Sequence, residues 1–262
     1  TELDDALRSL GQRLIIKIGN AVDILNGMHQ RHTIKALWSH QETWNRWTYA
    51  RDKAVKRWCE THHIPWHEPV QNGVIRRLQD RDGWGARWYR QMKQPLLPAP
   101  TRLEPVPETS ECLPSATELG LAPTPFANEQ KGGRSAGLKQ MQRFLYEQGE
   151  HYTHEMSSPV TAFQSCSRLS PYLAFGTLSI REVFQACERR TEELRQMSPS
   201  VKGKWPSAMR SFSGRLRWHC HFIQKLEDEP RIEFENMHPA YNRFRQQDFN
   251  TAHFEAWKLG MT

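Results

Sequence analysis

Eight prolines fall between residues 95 and 134, in PLLPAPTRLEPVPETSECLPSATELGLAPTPFANEQKGGR. Each removes a backbone donor and fixes φ, so neither a helix interior nor a central strand runs through such a stretch. The segment reads as a connector laid over the surface. It divides the 262-residue chain into residues 1–94 and 135–262, each of a size to hold one modest core, since domains run to roughly 100–200 residues.

The two parts carry different patterns. RLIIKI at 13–18 is a short apolar run with β-branched residues and predicts a strand; AVDILNGMHQRH predicts a helix, TIKALW at 33–38 a second strand, WNRWTYARDKAVKRWCETHH a second helix, and IPWHE a third strand. Strands alternating with helices predict a parallel α/β sheet, because parallel neighbours need a crossover. Arg46, Arg51, Lys53 and Lys56 fall on the predicted wet face of the second helix, and QNGVIRR at 71–77 supplies an Asn-Gly turn with no evident chemistry. Beyond 135 the period is helical: Leu138, Met141 and Leu145 form one apolar stripe, and Met209, Phe212, Leu216, Ile223 and Leu226 another. The expected fold class is therefore α/β plus all-α. TELDDALRSLG reads as the last turns of a helix and FEAWKLGMT stops in mid-pattern, so the chain is expected to be a piece of a longer one, with an incomplete sheet.

Totals narrow the partners. The formal charge is +7, from 36 Lys and Arg against 29 Asp and Glu, which suits a polyanion or a phosphorylated cofactor. Ten tryptophans are expected mostly in the core. Cys59, Cys112, Cys166, Cys187 and Cys220 include no C-x-x-C pair, which points to reduced thiols and a cytoplasmic setting. No apolar run reaches the roughly 18–20 residues of a membrane helix, so no membrane partner is expected. The phosphate-loop, dinucleotide, zinc-protease and nucleophile-elbow motifs are absent from the sequence.

Two stretches carry chemistry. In SCSRLSPYLAFGTLSIREVF, residues 165–184, serines surround Arg168 ahead of Pro171, a residue suited to the first turn of a helix. Hydroxyls, a guanidinium and free helix-start N–H groups make an anion site; ordinary N-capping with Arg168 in a structural ion pair is the competing reading. In SGRLRWHCHF, Arg215, Trp218, His219 and Phe222 share a helix face, as base stacking and phosphate neutralisation require; the alternative is a core-facing aromatic with solvated basic neighbours. His219, Cys220 and His221 are adjacent and point to different sides of a helix, so no metal site is expected.

SRLSPYLAFGTLSIREVF resembles the flavin-domain signature of the cryptochrome and DNA photolyase family, T-S-R-L-S-P-Y-L-x-x-G-x-L-S-x-R-x-V, with Cys166 where the pattern has threonine. NRWTYARDKAVKRWC with IPWHEPVQNGVI is similar to the later half of the family's α/β antenna domain, FLYEQGEHYTHEMSSP to the run-in that carries a flavin-contacting tyrosine, and SFSGRLRWHCHFIQKL to the helix W-x-x-E-L-x-W-R-x-F. The resemblance implies a partial antenna-type domain (1–94), an interdomain linker (95–134) and the first part of a helical FAD-binding domain (135–262). It implies FAD as cofactor, with a second, antenna chromophore of open identity, and damaged DNA as partner of a monomer. Cofactor contacts then fall on Tyr152, Cys166, Ser167, Arg168, Leu169, Ser170, Phe212, Arg215 and His219, and DNA contacts on Arg215, Trp218, His219 and Phe222. The implied activity is a carbon–carbon lyase reaction that splits pyrimidine lesions by electron transfer from light-excited reduced flavin. No catalytic side chain is singled out in this stretch of chain. Arg215 stands where the family often has glutamate, which inverts the charge at a lesion-reading position; a blue-light photoreceptor with the same fold is the alternative function.

Overall fold

The computed structural model describes residues 1–122, 129–244 and 246–261. The N-terminal part runs α1 (Glu2–Ser9), α2 (Ala21–His32), β1 (Leu37–Trp38), α3 (Arg46–Thr61), β2 (Trp66–His67) and α4 (Trp84–Met92). Asn20 and Asn45 cap α2 and α3 with side-chain oxygens on N–H groups of the first turn. β1 and β2 are parallel, Leu37 opposite Trp66 and Trp38 opposite His67, with α3 as the crossover. Val55, Trp58, Cys59 and Ile64 close a small core against Val22, Leu25 and Leu37.

RLIIKI does not join this sheet. Residues 13–18 are extended, but their partners come from the proline-rich connector: Ser110 Oγ accepts from Ile16 N–H at 2.9 Å, and Glu111 N–H donates to Ile16 O at 2.9 Å. An apolar run specifies an extended chain that wants a neighbour; it does not specify which neighbour. The connector is correspondingly more than a surface tether. Its Glu108 is buried, with Lys17 Nζ at 2.8 Å, Arg31 at 3.0 Å and His32 Nε2 at 2.8 Å around the carboxylate. Connector residues 123–128 lie outside the described residues.

The second part is helical, as its period predicts: α5 (Arg134–Arg143), a π-helical turn at Phe144–Gln148, α6 (Tyr152–Glu155), α7 (Ala162–Ser165), α8 (Ser170–Ala174), α9 (Ile180–Arg195), α10 (Pro199–Lys202), α11 (Trp205–Asp228) and α12 (Thr251–Lys258). Its core collects Met141, Phe144 and Leu145, Val183 and Phe184 of α9, and Met209, Phe212 and Leu216 of α11. Trp84, Trp88 and Met92 of α4 belong to this same core although they precede the connector.

The stretch read as a plain Asn-Gly turn is the seam that docks the two parts. Gly73 N–H donates to Cys220 Sγ at 3.3 Å, and the buried Gln224 amide bridges Ile75, accepting from its N–H at 2.7 Å and donating to its carbonyl at 2.9 Å. A side chain at position 73 would overlap the Trp88 indole, so only glycine lets this strand of chain approach. Tyr49 OH donates to Glu227, and Arg81 pairs with Asp228 at 2.8 Å. The tryptophans depart from expectation: only Trp58, Trp84, Trp88 and Trp205 are buried, while Trp38, Trp44, Trp47, Trp218 and Trp257 are exposed.

Candidate functional site

The turn from Cys166 to Ser170 is built by its carbonyls. Three consecutive ones each accept a side-chain amide: Gln148 Nε2 donates to Cys166 O at 3.0 Å, Gln140 Nε2 to Ser167 O at 2.9 Å, and Gln130 Nε2 to Arg168 O at 3.0 Å. The buried Ser165 anchors the entry to the turn by donating to the Glu155 carboxylate. With the carbonyls held on one side, the N–H groups of Ser167, Arg168, Leu169 and Ser170 are left without protein acceptors among the described residues. Arg168 is left-handed (φ 51°) and Leu169 right-handed (φ −88°). Such an alternation turns successive N–H groups toward a common concavity that favours an anion.

The competing reading does not fit these atoms. Neither serine caps α8, whose start carries no side-chain capping bond and has Pro171 in its first turn. Arg168 makes no structural ion pair among the described residues; its guanidinium lies 3.9 Å over the Phe163 ring, in a cleft of about 350 Å³ that it shares with Arg143, Gln130, Gln140 and Gln148. Arg168 therefore gives the turn its backbone, while its charge sits on the carbonyl side.

Around this turn the remaining sequence-predicted residues sort by depth. Leu169 is buried, so only its main chain is available. Tyr152 is buried edge-on to Phe144 (5.4 Å) and Phe212 (6.0 Å). Burial pushes its phenol up to about 12, with the nearby Arg215 charge opposing. Phe212 is 3% exposed and belongs to the core, so it supports the site from beneath. The Cys166 thiol is raised by burial and so stays protonated near neutral pH. His219 lines a cleft of about 340 Å³ between the two parts, with Leu173 and Ala174 on one wall and Glu42, Trp44 and Asn72 on the other. Burial holds its imidazole below the usual range, hence neutral.

On the outer side of α11, Trp218 is 48% and Phe222 55% exposed, with ring centroids 5.8 Å apart at 69°. The Arg215 guanidinium covers Trp218 at 4.9 Å. This is an aromatic platform with a cation on it, open to solvent. Cys220 points into the core with its Sγ 3.9 Å from His219 Nδ1, while His221 turns toward Arg81 and Trp84. Sequence reasoning missed Gln130, Gln140, Gln148 and Glu155, because nothing in an isolated glutamine or glutamate announces which carbonyl or hydroxyl it will meet.

Residues 1–109 match the family described as DNA photolyase, and residues 212–262 the family described as FAD binding domain of DNA photolyase. The chain belongs to the cryptochrome and DNA photolyase family. A deoxyribodipyrimidine photo-lyase of Halobacterium salinarum is 26% identical over 276 residues, covering 99% of this chain and 55% of the relative. A (6-4)DNA photolyase of Arabidopsis thaliana is 24% identical, covering 100% and 49%. The chain thus spans about half the length of the curated relatives it matches. Among solved structures the fold matches a Synechocystis cryptochrome (TM-score 0.77, 18% identity, 98% of this chain and 55% of that one). It also matches a bacterial class III photolyase from Agrobacterium tumefaciens (TM-score 0.74, 21% identity, 99% and 54%). A third match is an archaeal photolyase from Sulfolobus tokodaii with two FAD molecules (TM-score 0.64, 20% identity, 100% and 54%). FAD is the cofactor that membership implies, and the donor set fits it: the acceptor-free N–H groups at 167–170 with the Ser167 and Ser170 hydroxyls suit a diphosphate. Among the described residues no helix is long and apolar enough to cross a membrane, and all five cysteines are free.

Proposed function

We propose that this chain forms the antenna-type part and the first portion of the flavin-binding part of a photolyase-like enzyme that repairs pyrimidine lesions in DNA under blue light. One observation carries the reading: the chain combines an anion-accepting turn at 167–170 with an exposed tryptophan at 218 that the Arg215 guanidinium covers at 4.9 Å. Bound FAD, when reduced and excited, supplies an electron for bond cleavage in the lesion.

The chain's own groups bind and orient. The N–H groups of Ser167, Arg168, Leu169 and Ser170 hold the diphosphate, and Tyr152 and Phe212 stiffen the wall behind them. Neutral His219, its Nδ1 engaged with the Cys220 thiol at 3.9 Å, offers the cleft its Nε2 without a charge. Trp218 and Phe222 stack an extruded base. Arg215, in place of a carboxylate, presents only donors, which suits the carbonyl oxygens of a pyrimidine and cannot pair with its N–H edges. That same inversion favours the second reading, a blue-light photoreceptor in which the covered Trp218 does not open to a base. A second, antenna chromophore and a cytoplasmic setting with free thiols belong to the repair reading.

Illumination of the flavin-loaded, reduced protein with an oligonucleotide carrying a defined pyrimidine lesion tests it, with lesion content followed by chromatography. Light-dependent loss of the lesion is expected. A light-dependent change in the 350–500 nm absorption with the lesion intact would move the assignment to the photoreceptor.

A further inference from the structure

The flank of α11 beside the Trp218 platform carries a different chemistry. Arg210, Ser213, Gly214 and Arg217 recur at helical spacing along it and form one wall of a cleft of about 550 Å³, with Arg195 of α9, Lys202 of α10 and Tyr89 of α4 opposite. The buried stripe of Phe212, Leu216 and Cys220 lies on the opposite side of the helix, facing the core.

The charges in the cleft are largely uncommitted. Arg195 pairs with Glu192 at 2.5 Å, but Lys202, Arg210 and Arg217 make no ion pair among the described residues; Arg217 rests its guanidinium 5.7 Å over the Tyr89 ring. Glu188 is the single acid of the lining. At position 214 glycine leaves open space above the helix, with no atom within 4 Å of where a Cβ would stand. Arg210 and Arg217 are two helical turns apart, about 10 Å along the axis, a span wide enough to meet separate phosphates of one strand, which rise about 3.4 Å each along the duplex axis. A lone phosphate would be engaged by one end of such a row only, whereas a strand backbone engages both.

We propose that this cleft is a second nucleic-acid contact, holding the phosphodiester backbone of undamaged flanking or neighbouring DNA while the Trp218 face meets the lesion. The inference uses the DNA part of the function proposed above but neither the flavin nor the lesion.

Binding of lesion-free duplex to the full chain, followed by fluorescence anisotropy over a salt series, tests it against Arg210→Gln/Arg217→Gln and, separately, Lys202→Gln. All three positions are at the surface of the cleft, and melting curves confirm that each variant is folded. Each lost phosphate contact lowers the slope of log K against log salt by about 0.9, so the double variant is expected to lose about 1.8 in slope and at least ten-fold in affinity at low salt. Trp218→Ala should leave that slope unchanged. An unchanged slope in the double variant, or a parent that binds no duplex at low salt, overturns the proposal. Competition by millimolar ADP as effectively as by an oligonucleotide also overturns it in favour of a small phosphorylated ligand. A parent that loses slope on substitution yet binds irradiated and lesion-free duplex alike would sink the repair reading and leave this contact standing.

Discussion

The glutamine clamp behind residues 166–168 makes the anion turn a device of side chains as much as of backbone. Gln148→Ala leaves the Cys166 carbonyl without its amide donor, a loss of about 1–3 kcal/mol for a group that stays shielded from water. Because the turn orients the N–H groups, the variant should also release FAD more readily, measured as a weaker dissociation constant in a flavin fluorescence titration; equal affinity would show that the clamp is dispensable for the turn. Arg168 yields a contrasting expectation. It sits at φ 51°, a conformation glycine adopts without the roughly 1 kcal/mol strain of other residues, and its guanidinium stacks on Phe163. Arg168→Gly is therefore expected to keep flavin binding within about three-fold of the parent by the same titration, a change of about 0.65 kcal/mol. A large loss would return the guanidinium to the phosphates. The serines and the proline were legible as a candidate anion turn, since their chemistry is local. The stacking of the Arg168 guanidinium on Phe163 was not, because which side of a turn a long side chain takes is decided by its tertiary neighbours.

Among elements, the seam and the connector carry what the period could not convey. Helical stripes at 138–145 and 209–226 were readable because 3.6-residue periodicity reports burial directly. The pairing of the extended run at 13–18 was not, because such a run pairs with whatever chain arrives, here residues 108–111. Gln224 is fully buried and satisfies both main-chain groups of Ile75, so Gln224→Leu should destabilise by about 2–4 kcal/mol through two orphaned backbone groups, read as a lower denaturant midpoint. Glu108 gives a pH signature. Its bond to Lys17 first, then those to Arg31 and His32, hold the carboxyl well below its ordinary range against the opposing effect of burial. A depressed folded value stabilises fully above the ordinary value near 4.5 and less as pH falls from there. Glu108→Gln should therefore lower the melting temperature at pH 7, and the gap to the parent should narrow as pH drops below about 4.5. A gap that is constant from pH 7 to pH 3 would show that the carboxylate charge is not what fastens the connector.

At the scale of the molecule, two apolar groupings coexist with a surface that is far from polar. Phe234, Met237, Tyr241, Phe249, Phe254, Trp257 and Leu259 are all exposed, as are Trp44 and Trp47 across the α/β part. Large contiguous apolar surface is a contact surface or an aggregation hazard. Purified alone, these 262 residues should self-associate with rising concentration, seen as a growing hydrodynamic radius in light scattering. A constant radius from micromolar to millimolar protein would mean that the exposed aromatics are locally shielded in solution. The +7 charge opposes association at low salt and is screened as salt rises, so the effect should strengthen with ionic strength.

The placement of Trp84, Trp88 and Met92 in a core otherwise made by later residues also sets a timetable for the nascent chain. The small core around Trp58 and Ile64 is complete within its own neighbourhood of sequence. Trp88 instead meets Phe184 edge-on at 5.3 Å and the Gly73 seam beneath Cys220. Translation at about 5–20 residues per second leaves α4 waiting several seconds to tens of seconds for α9 and α11 to leave the ribosome, its indoles in water throughout. During that interval the connector can already be fastened through Glu108, so α4, nine residues long, waits on a tethered scaffold.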